Sequence, residues 1–136
     1  MKRYFLDTNI LLDFLGDRRP FSKYALQIMN KGRLGEWELW SSDNSITTCY
    51  YILEQKIGSK SAKEKIGQLL QFLSIQPVGK ADLQAALASK FKDFEDGVQH
   101  VCALNIDGLD AIITRNRKDF KESQLPVLGP EELFEN

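Results

Sequence analysis

The sequence predicts an α/β fold built on a parallel sheet covered on both faces. Three observations point there. Strand-like segments alternate with helical segments along all 136 residues. The chain opens on a bulky run that stops at a carboxylate, Tyr4-Phe5-Leu6-Asp7, and passes at once into the apolar run Ile10-Leu11-Leu12. A second buried strand, Asp110-Ala111-Ile112-Ile113-Thr114, also ends on a polar residue.

Tyr4 to Asp7 is the first strand. Pro20 opens a helix whose apolar face is Phe21, Tyr24, Ala25, Ile28 and Met29, at helical spacing. Gly32 and Gly35 bracket a turn. Trp37 to Ser41, rich in aromatic residues, is the second strand. Asn44 or Ser45 caps a helix carrying Ile46, Cys49, Tyr50, Leu53 and Ile57, and Gly58 stops it. Ser61 to Leu73 is amphipathic through Ala62, Ile66, Leu69, Leu70 and Leu73. Ser74 to Val78 is a short third strand despite Pro77. Leu83, Ala86, Leu87 and Phe91 mark another helix, and Phe94, Val98, Val101 and Cys102 form the stripe of the next. Pro126 to Leu128 is a final strand, whose leading proline suits a sheet edge. Glu131 to Phe134 adds a turn of helix.

Bulk properties narrow the function. The length suits one domain over residues 1–136, and 43% apolar with 27% charged residues is ordinary for a soluble globular protein. No apolar run is long enough to span a membrane. Asp7 and Asp13 break the signal-like start at Met1-Lys2-Arg3. Cys49 and Cys102 are spaced for neither zinc nor a disulfide framework, and are expected as reduced core thiols in the cytoplasm. The single histidine, His100, rules out a His-rich metal site and falls by spacing on the polar side of its helix. A net charge of −1 gives no general pull on nucleic acid, so a polyanionic substrate needs local basic residues or metal ions.

Carboxylates and amides gather in three places near element ends: Asp7 with Asn9, Asp93-Phe94-Glu95-Asp96, and Thr114-Arg115-Asn116-Arg117-Lys118-Asp119. Ligands of α/β sheets sit at the carboxyl ends of strands. Converging carboxylates suit a hard cation such as Mg²⁺, which also engages substrate phosphate. Each piece has a plainer reading. Asp7 and Asp93 are good helix caps. Arg115, Arg117, Lys118 and Lys121 make an ordinary solvated loop taken singly, and a phosphate-binding set taken together. Core packing is the reading for Tyr50-Tyr51.

The motifs Leu6-Asp7-Thr8-Asn9-Ile10-Leu11-Leu12, Lys92-Asp93-Phe94-Glu95-Asp96 and Ile113-Thr114-Arg115-Asn116-Arg117-Lys118-Asp119-Phe120, in that order, resemble PIN-domain proteins, notably small VapC-like toxins. The resemblance covers essentially the whole chain. It implies a three-layer α/β/α fold with a five-stranded parallel sheet ordered 3-2-1-4-5. It also implies Mg²⁺- or Mn²⁺-dependent endoribonuclease activity, a cytoplasmic location and an antitoxin partner, and it leaves room for a homodimer. On this pattern Asp7 and Asp96 hold the metal, with Asp119 or Asp93 assisting. Asn9 orders the site, while Asn116, Thr48 and Thr114 position water or phosphate. Arg115, Arg117 and Lys118 bind the RNA backbone. Two departures stand out. Thr48 lies where relatives carry a helix glutamate, with Glu54 too far along, and Asn116 stands where many carry aspartate. They imply an attenuated nuclease, or a PIN-fold module that binds RNA or a protein without cleaving. A phosphotransfer enzyme with Asp7 as nucleophile is disfavoured, because such enzymes place a second aspartate where this chain has Asn9.

Overall fold

The computed structural model describes residues 1–135. The chain runs β1 (Lys2–Leu6), α1 (Thr8–Leu15), α2 (Ser22–Arg33), β2 (Trp37–Ser42), α3 (Asp43–Ile57), α4 (Ser59–Leu70), β3 (Leu73–Gln76), α5 (Lys80–Ala88), α6 (Phe94–Leu104), β4 (Ala111–Ile113) and β5 (Val127–Leu128). Short 3₁₀ turns cover Arg117–Phe120 and Pro130–Phe134. The sheet has five strands in the order β3-β2-β1-β4-β5, every neighbouring pair parallel, as the motifs implied.

Alternation along the strands builds the two layers. Tyr4, Leu6, Ala111 and Ile113 face the core formed with α1 to α4. Phe5 and Ile112 face the other, with Cys102, Ala103 and Ile106 from the α6 side and Phe120. Phe5, Leu6, Ile112 and Ile113 are fully buried, each stabilising the fold by about 1.5–3 kcal/mol. Leu6 pairs with Ile113, and Asp7 N donates to Ile113 O at 3.0 Å. The carboxyl ends of β1 and β4 therefore lie side by side. Connections leave β1 and β4 toward opposite edges of the sheet, so a crevice opens between these two ends.

Several expectations are corrected. Gly32 lies inside the last turn of α2, where a Cβ would collide with Leu39; Gly35, at φ 76°, makes the turn alone. The cap of α3 is Ser42, whose Oγ accepts from Ser45 N at 3.0 Å, so that helix starts earlier than expected. Leu73 begins β3 rather than ending α4, and the strand stops before Pro77. Leu83, Leu87, Phe94 and Tyr51 are exposed rather than packed. His100 is buried, not on a polar face: its Nε2 accepts from Gln124 N at 3.0 Å and its ring stacks on Phe91. The cysteines are free and buried, as expected.

Candidate active site

Asp7 is the hinge of the site. It follows β1 and, being 7% exposed, is held almost entirely by the protein. One oxygen, Oδ1, accepts from Thr8 N at 2.8 Å and caps α1. The other, Oδ2, accepts from Thr114 Oγ1 at 2.7 Å and Asn9 Nδ2 at 3.3 Å. Capping and facing the crevice are thus one role, since the two oxygens divide the work. Thr114 Oγ1 also accepts from Asn116 N at 3.0 Å, and Asn9 Oδ1 accepts from Arg115 N at 3.4 Å. These bonds lock the end of β1 to the end of β4.

Two further acids come from separate elements. Asp96 stands in the first turn of α6, and Asp119 in the 3₁₀ turn after β4. They line one cleft of about 190 Å³ together with Lys90, Lys92, Lys118 and Lys121. Their electrostatics tie them to Asp7. Burial, then the charges of Asp7, Asp93, Asp119 and Glu95, push the Asp96 carboxyl up to about 7. Burial also raises Asp7, against the hydrogen bonds from Thr114 and Thr8, with the charges of Glu95 and Asp119 adding to it. Among the described residues no three His, Cys, Asp or Glu side chains are already drawn together as ligands. Every donor here is a carboxylate, amide or hydroxyl oxygen, a set that fits a hard divalent cation.

The raised Asp96 sets a pH dependence. The folded chain holds this proton more tightly than the unfolded chain does, so stability falls as pH rises from about 4 to about 7 and levels off above. Solvent screening of a partly exposed group limits the effect to about 1–2 kcal/mol. Urea unfolding in chelator at pH 5 and pH 8 measures it. Asp96→Asn removes this part of the slope, and an unchanged slope in that variant would place the charge strain elsewhere.

The remaining expected residues divide. Asp93 caps α6, its Oδ1 accepting from Asp96 N at 2.9 Å, and it is exposed. Asn116 is exposed beside Thr114 and accepts from Asp119 N through its carbonyl at 3.0 Å. Thr48 bonds the Asn44 carbonyl at 3.0 Å and lines a second cleft with Glu95. The Arg115 guanidinium pairs with Asp13 (Nε to Oδ2, 2.6 Å) and lies 3.8 Å over Phe21. Arg117 pairs with Glu132, while Lys118 stands exposed at the acidic cleft.

Sequence reasoning missed what supports the acids. Asp13, 1% exposed at its side chain, holds both Arg115 and Arg18. Beneath the site Thr8 Oγ1 meets Ser45 Oγ at 2.8 Å, the Ser42 and Ser45 hydroxyls are 3.0 Å apart, and Ser42 donates to Gln99 Oε1 at 3.0 Å. That chain ties α1, α3 and α6 together. Gln99 Nε2 finds no partner among the described residues. An acid within an apolar helix was the legible signal for Asp13; hydroxyls and amides spread along the chain carry none.

Known proteins fit this geometry. The PIN domain profile matches residues 3–118. Ribonuclease VapC1 of Aquifex aeolicus (strain VF5) is 34% identical over 139 residues, covering 98% of this chain and 94% of that protein. Among solved structures, VapBC2 from Rickettsia felis, bound to a DNA fragment from its promoter, superposes with a TM-score of 0.68 at 15% identity. It covers 93% of this chain and 98% of its own. A toxin–antitoxin complex from Klebsiella pneumoniae gives 0.66 at 22% identity over 93% and 97% of the two chains. VapC20 of Mycobacterium tuberculosis, a toxin that cleaves the sarcin–ricin loop, gives 0.63 at 12% identity over 80% and 86%. The structural likenesses speak for the fold. With the profile and the VapC1 relative they establish that this chain belongs to the PIN-domain family.

Proposed function

We propose that this protein is a Mg²⁺- or Mn²⁺-dependent endoribonuclease, a single PIN-like domain acting in the cytoplasm as the toxin of a toxin–antitoxin pair. The observation that supports the reading is that Asp96 and Asp119, from two elements, line one cleft, and that Asp7 at the carboxyl end of β1 feels the charge of Asp119 and acts on Asp96. The VapC1 relative and the toxin complexes with this fold support the substrate and the antitoxin partner. No helix among the described residues is long and apolar enough to cross a membrane. A divalent cation held by Asp7, Asp96 and Asp119 would supply positive charge for the scissile phosphate and lower the pKa of the attacking water.

The chain's own residues do the rest. Thr114 and Asn9 donate to Asp7 Oδ2 and so fix the orientation of its carboxylate at the carboxyl end of β1. Asp96 and Asp119 complete the acidic pair at the cleft, and Asn116 and Thr48 offer polar groups for water or phosphate. Lys118, with Lys90, Lys92 and Lys121 at the same cleft, takes the backbone contacts expected of Arg115. These four lysines balance the four acids of the cleft, Asp93, Asp96, Asp119 and Glu122, and set cationic side chains beside them for phosphate to meet.

Mn²⁺ is expected to raise the melting temperature of the chain. A ligand that binds only the folded state at 100 times its dissociation constant adds about 2.7 kcal/mol. Thermal scans with MnCl₂ or chelator, run beside cleavage of a labelled RNA, test the reading. The absence of both stabilisation and cleavage at millimolar Mn²⁺ would sink it. The second reading, a binding module with weakened catalysis, is favoured by Thr48 and Asn116 where relatives carry acids. Its result is Mn²⁺ and RNA binding without cleavage.

A further inference from the structure

One cleft of the molecule offers hydrogen-bond acceptors and almost no donors. It holds about 560 Å³, within the range of about 300–1,000 Å³ usual for small-ligand sites, and lies between the first half of α3 and the first turn of α6. Glu95 lines its α6 side, exposed, and among the described residues no basic side chain pairs with it. On the α3 side Thr47 and Thr48 each donate to the Asn44 carbonyl at 3.0 Å. A hydroxyl carries one proton, so both oxygens keep only lone pairs for anything that enters. Asp43 is already committed: its Oδ1 accepts from Asn44 N at 2.8 Å and Val78 N at 3.2 Å. Among the described residues that line this cleft there is no lysine or arginine, and the Asn44 amide nitrogen is the one side-chain donor left.

Beside these acceptors lies an open aromatic face. Phe94 is 46% exposed at the same cleft, and among the described residues it stacks on no other ring. A flat apolar ring next to acceptors suits a planar ligand that stacks by its face and donates through its edge. The place of the cleft says which ligand. Phe94 and Glu95 lie between Asp93 and Asp96, which line the neighbouring acidic cleft with Lys90, Lys92, Lys118 and Lys121. The two clefts share the first turn of α6. An RNA strand whose phosphates pass the lysines therefore brings a base to Phe94 and Glu95.

We propose that this cleft is a guanine-selective base subsite, in which the base stacks on Phe94 and the Glu95 carboxylate accepts from its N1–H and its exocyclic amine. The inference rests on the reading of the chain as a ribonuclease and gives that ribonuclease a sequence preference. Guanine is the one RNA base with two neighbouring donors on its Watson–Crick edge, and a carboxylate takes both at once. The guanine O6 meets the Asn44 amide. Uracil sets two carbonyl oxygens around a single N–H and so turns acceptors toward acceptors. Adenine and cytosine each place a ring-nitrogen acceptor beside their one amine and face the same mismatch. A buried or half-buried acceptor left without a donor costs binding, so the lining selects by what it refuses as well as by what it holds.

Two measurements on the full chain test it, with a labelled hexauridylate carrying one guanine and a second carrying inosine at that place. Inosine lacks the exocyclic amine and keeps the stack. Binding is followed by fluorescence anisotropy in chelator, and cleavage in MnCl₂. The parent is expected to bind the guanine RNA about tenfold more tightly than the inosine RNA, the effect of one hydrogen bond to a charged group, and to cleave it with a kcat/KM higher by a similar factor. Glu95→Gln removes the difference without changing the melting temperature of the metal-free chain. Phe94→Ala weakens both RNAs and keeps the difference. Glu64→Gln, on exposed α4 surface, changes neither. Cleavage without guanine preference, or a preference that survives Glu95→Gln, would overturn the subsite and leave the nuclease reading standing. Guanine-selective binding with no cleavage in MnCl₂ would support the subsite and overturn the nuclease reading. A dimer that Phe94→Ala turns into monomers in sedimentation would give this cleft to a second copy of the chain and overturn the proposal.

Discussion

Asp7→Asn is expected to lower Mn²⁺-supported RNA cleavage about 10³-fold, roughly 4 kcal/mol of transition-state stabilisation, while leaving the metal-free chain at least as stable as the parent. The two halves have one cause. Asp7 is buried and faces other carboxylates, so its charge is costly until a cation arrives. Asparagine keeps the shape and one oxygen for the Thr8 N–H that caps α1. It gives up the contact of Asp7 Oδ2 with Thr114, about 1 kcal/mol, and sheds the desolvated charge, which offsets that loss. Asp7→Ala differs, because it removes the cap as well and costs about 1 kcal/mol more. Labelled-RNA cleavage with Mn²⁺ and urea unfolding in chelator measure the two halves. Cleavage close to the parent's would remove Asp7 from the centre. A large stability loss in Asp7→Asn would leave capping as its main work.

The legible part of this protein is the part written in local runs. β1 and β4 announce themselves because a strand buried on both faces needs consecutive apolar residues, and the carboxylate or threonine that follows marks the crevice. The candidate residues Asp7, Asn9 and Thr114 were legible for that reason, and the structure ties them together by hydrogen bonds. What escaped depends on which residue meets which across the fold. Arg115 sits in a basic run and reads as a phosphate contact; its meeting with Asp13 could not be read from the sequence. His100 lies at a polar position of its helix by spacing, but Phe91 and the Gln124 N–H fold over it. Leu87 and Phe94 have helical spacing without a partner element, so they stay in solvent.

Asp13→Asn is expected to cost about 3 kcal/mol of folding stability, the largest structural effect of any exchange in this chain that keeps side-chain shape. Asp13 is 1% exposed at its side chain, near the carboxyl end of α1, where the helix dipole disfavours an anion. It is stable there because Arg115 grips both oxygens, at 2.6 and 3.2 Å, and Arg18 adds a bond of 2.9 Å. Asparagine leaves two guanidinium groups, a quarter to a third exposed, without their anion. Breaking such a set from one side is much costlier than replacing it whole, so Asp13→Leu with Arg115→Met should recover most of the lost stability. Function should not recover with it. Arg18 Nη2 also holds Asn9 O at 3.2 Å, and the Arg115 N–H holds Asn9 Oδ1, so the ion set clamps the loop after β4 against α1. In the double variant Arg18 lacks the anion that orients it toward Asn9 O, so the hold on Asn9 loosens and Mn²⁺ affinity stays low. Urea midpoints and Mn²⁺ calorimetry on the three proteins decide it. A cost for Asp13→Asn below about 1 kcal/mol would mean that water already serves these charges. Full metal affinity in the double variant would mean that the hydrogen bonds around Asp7 hold the site without the clamp.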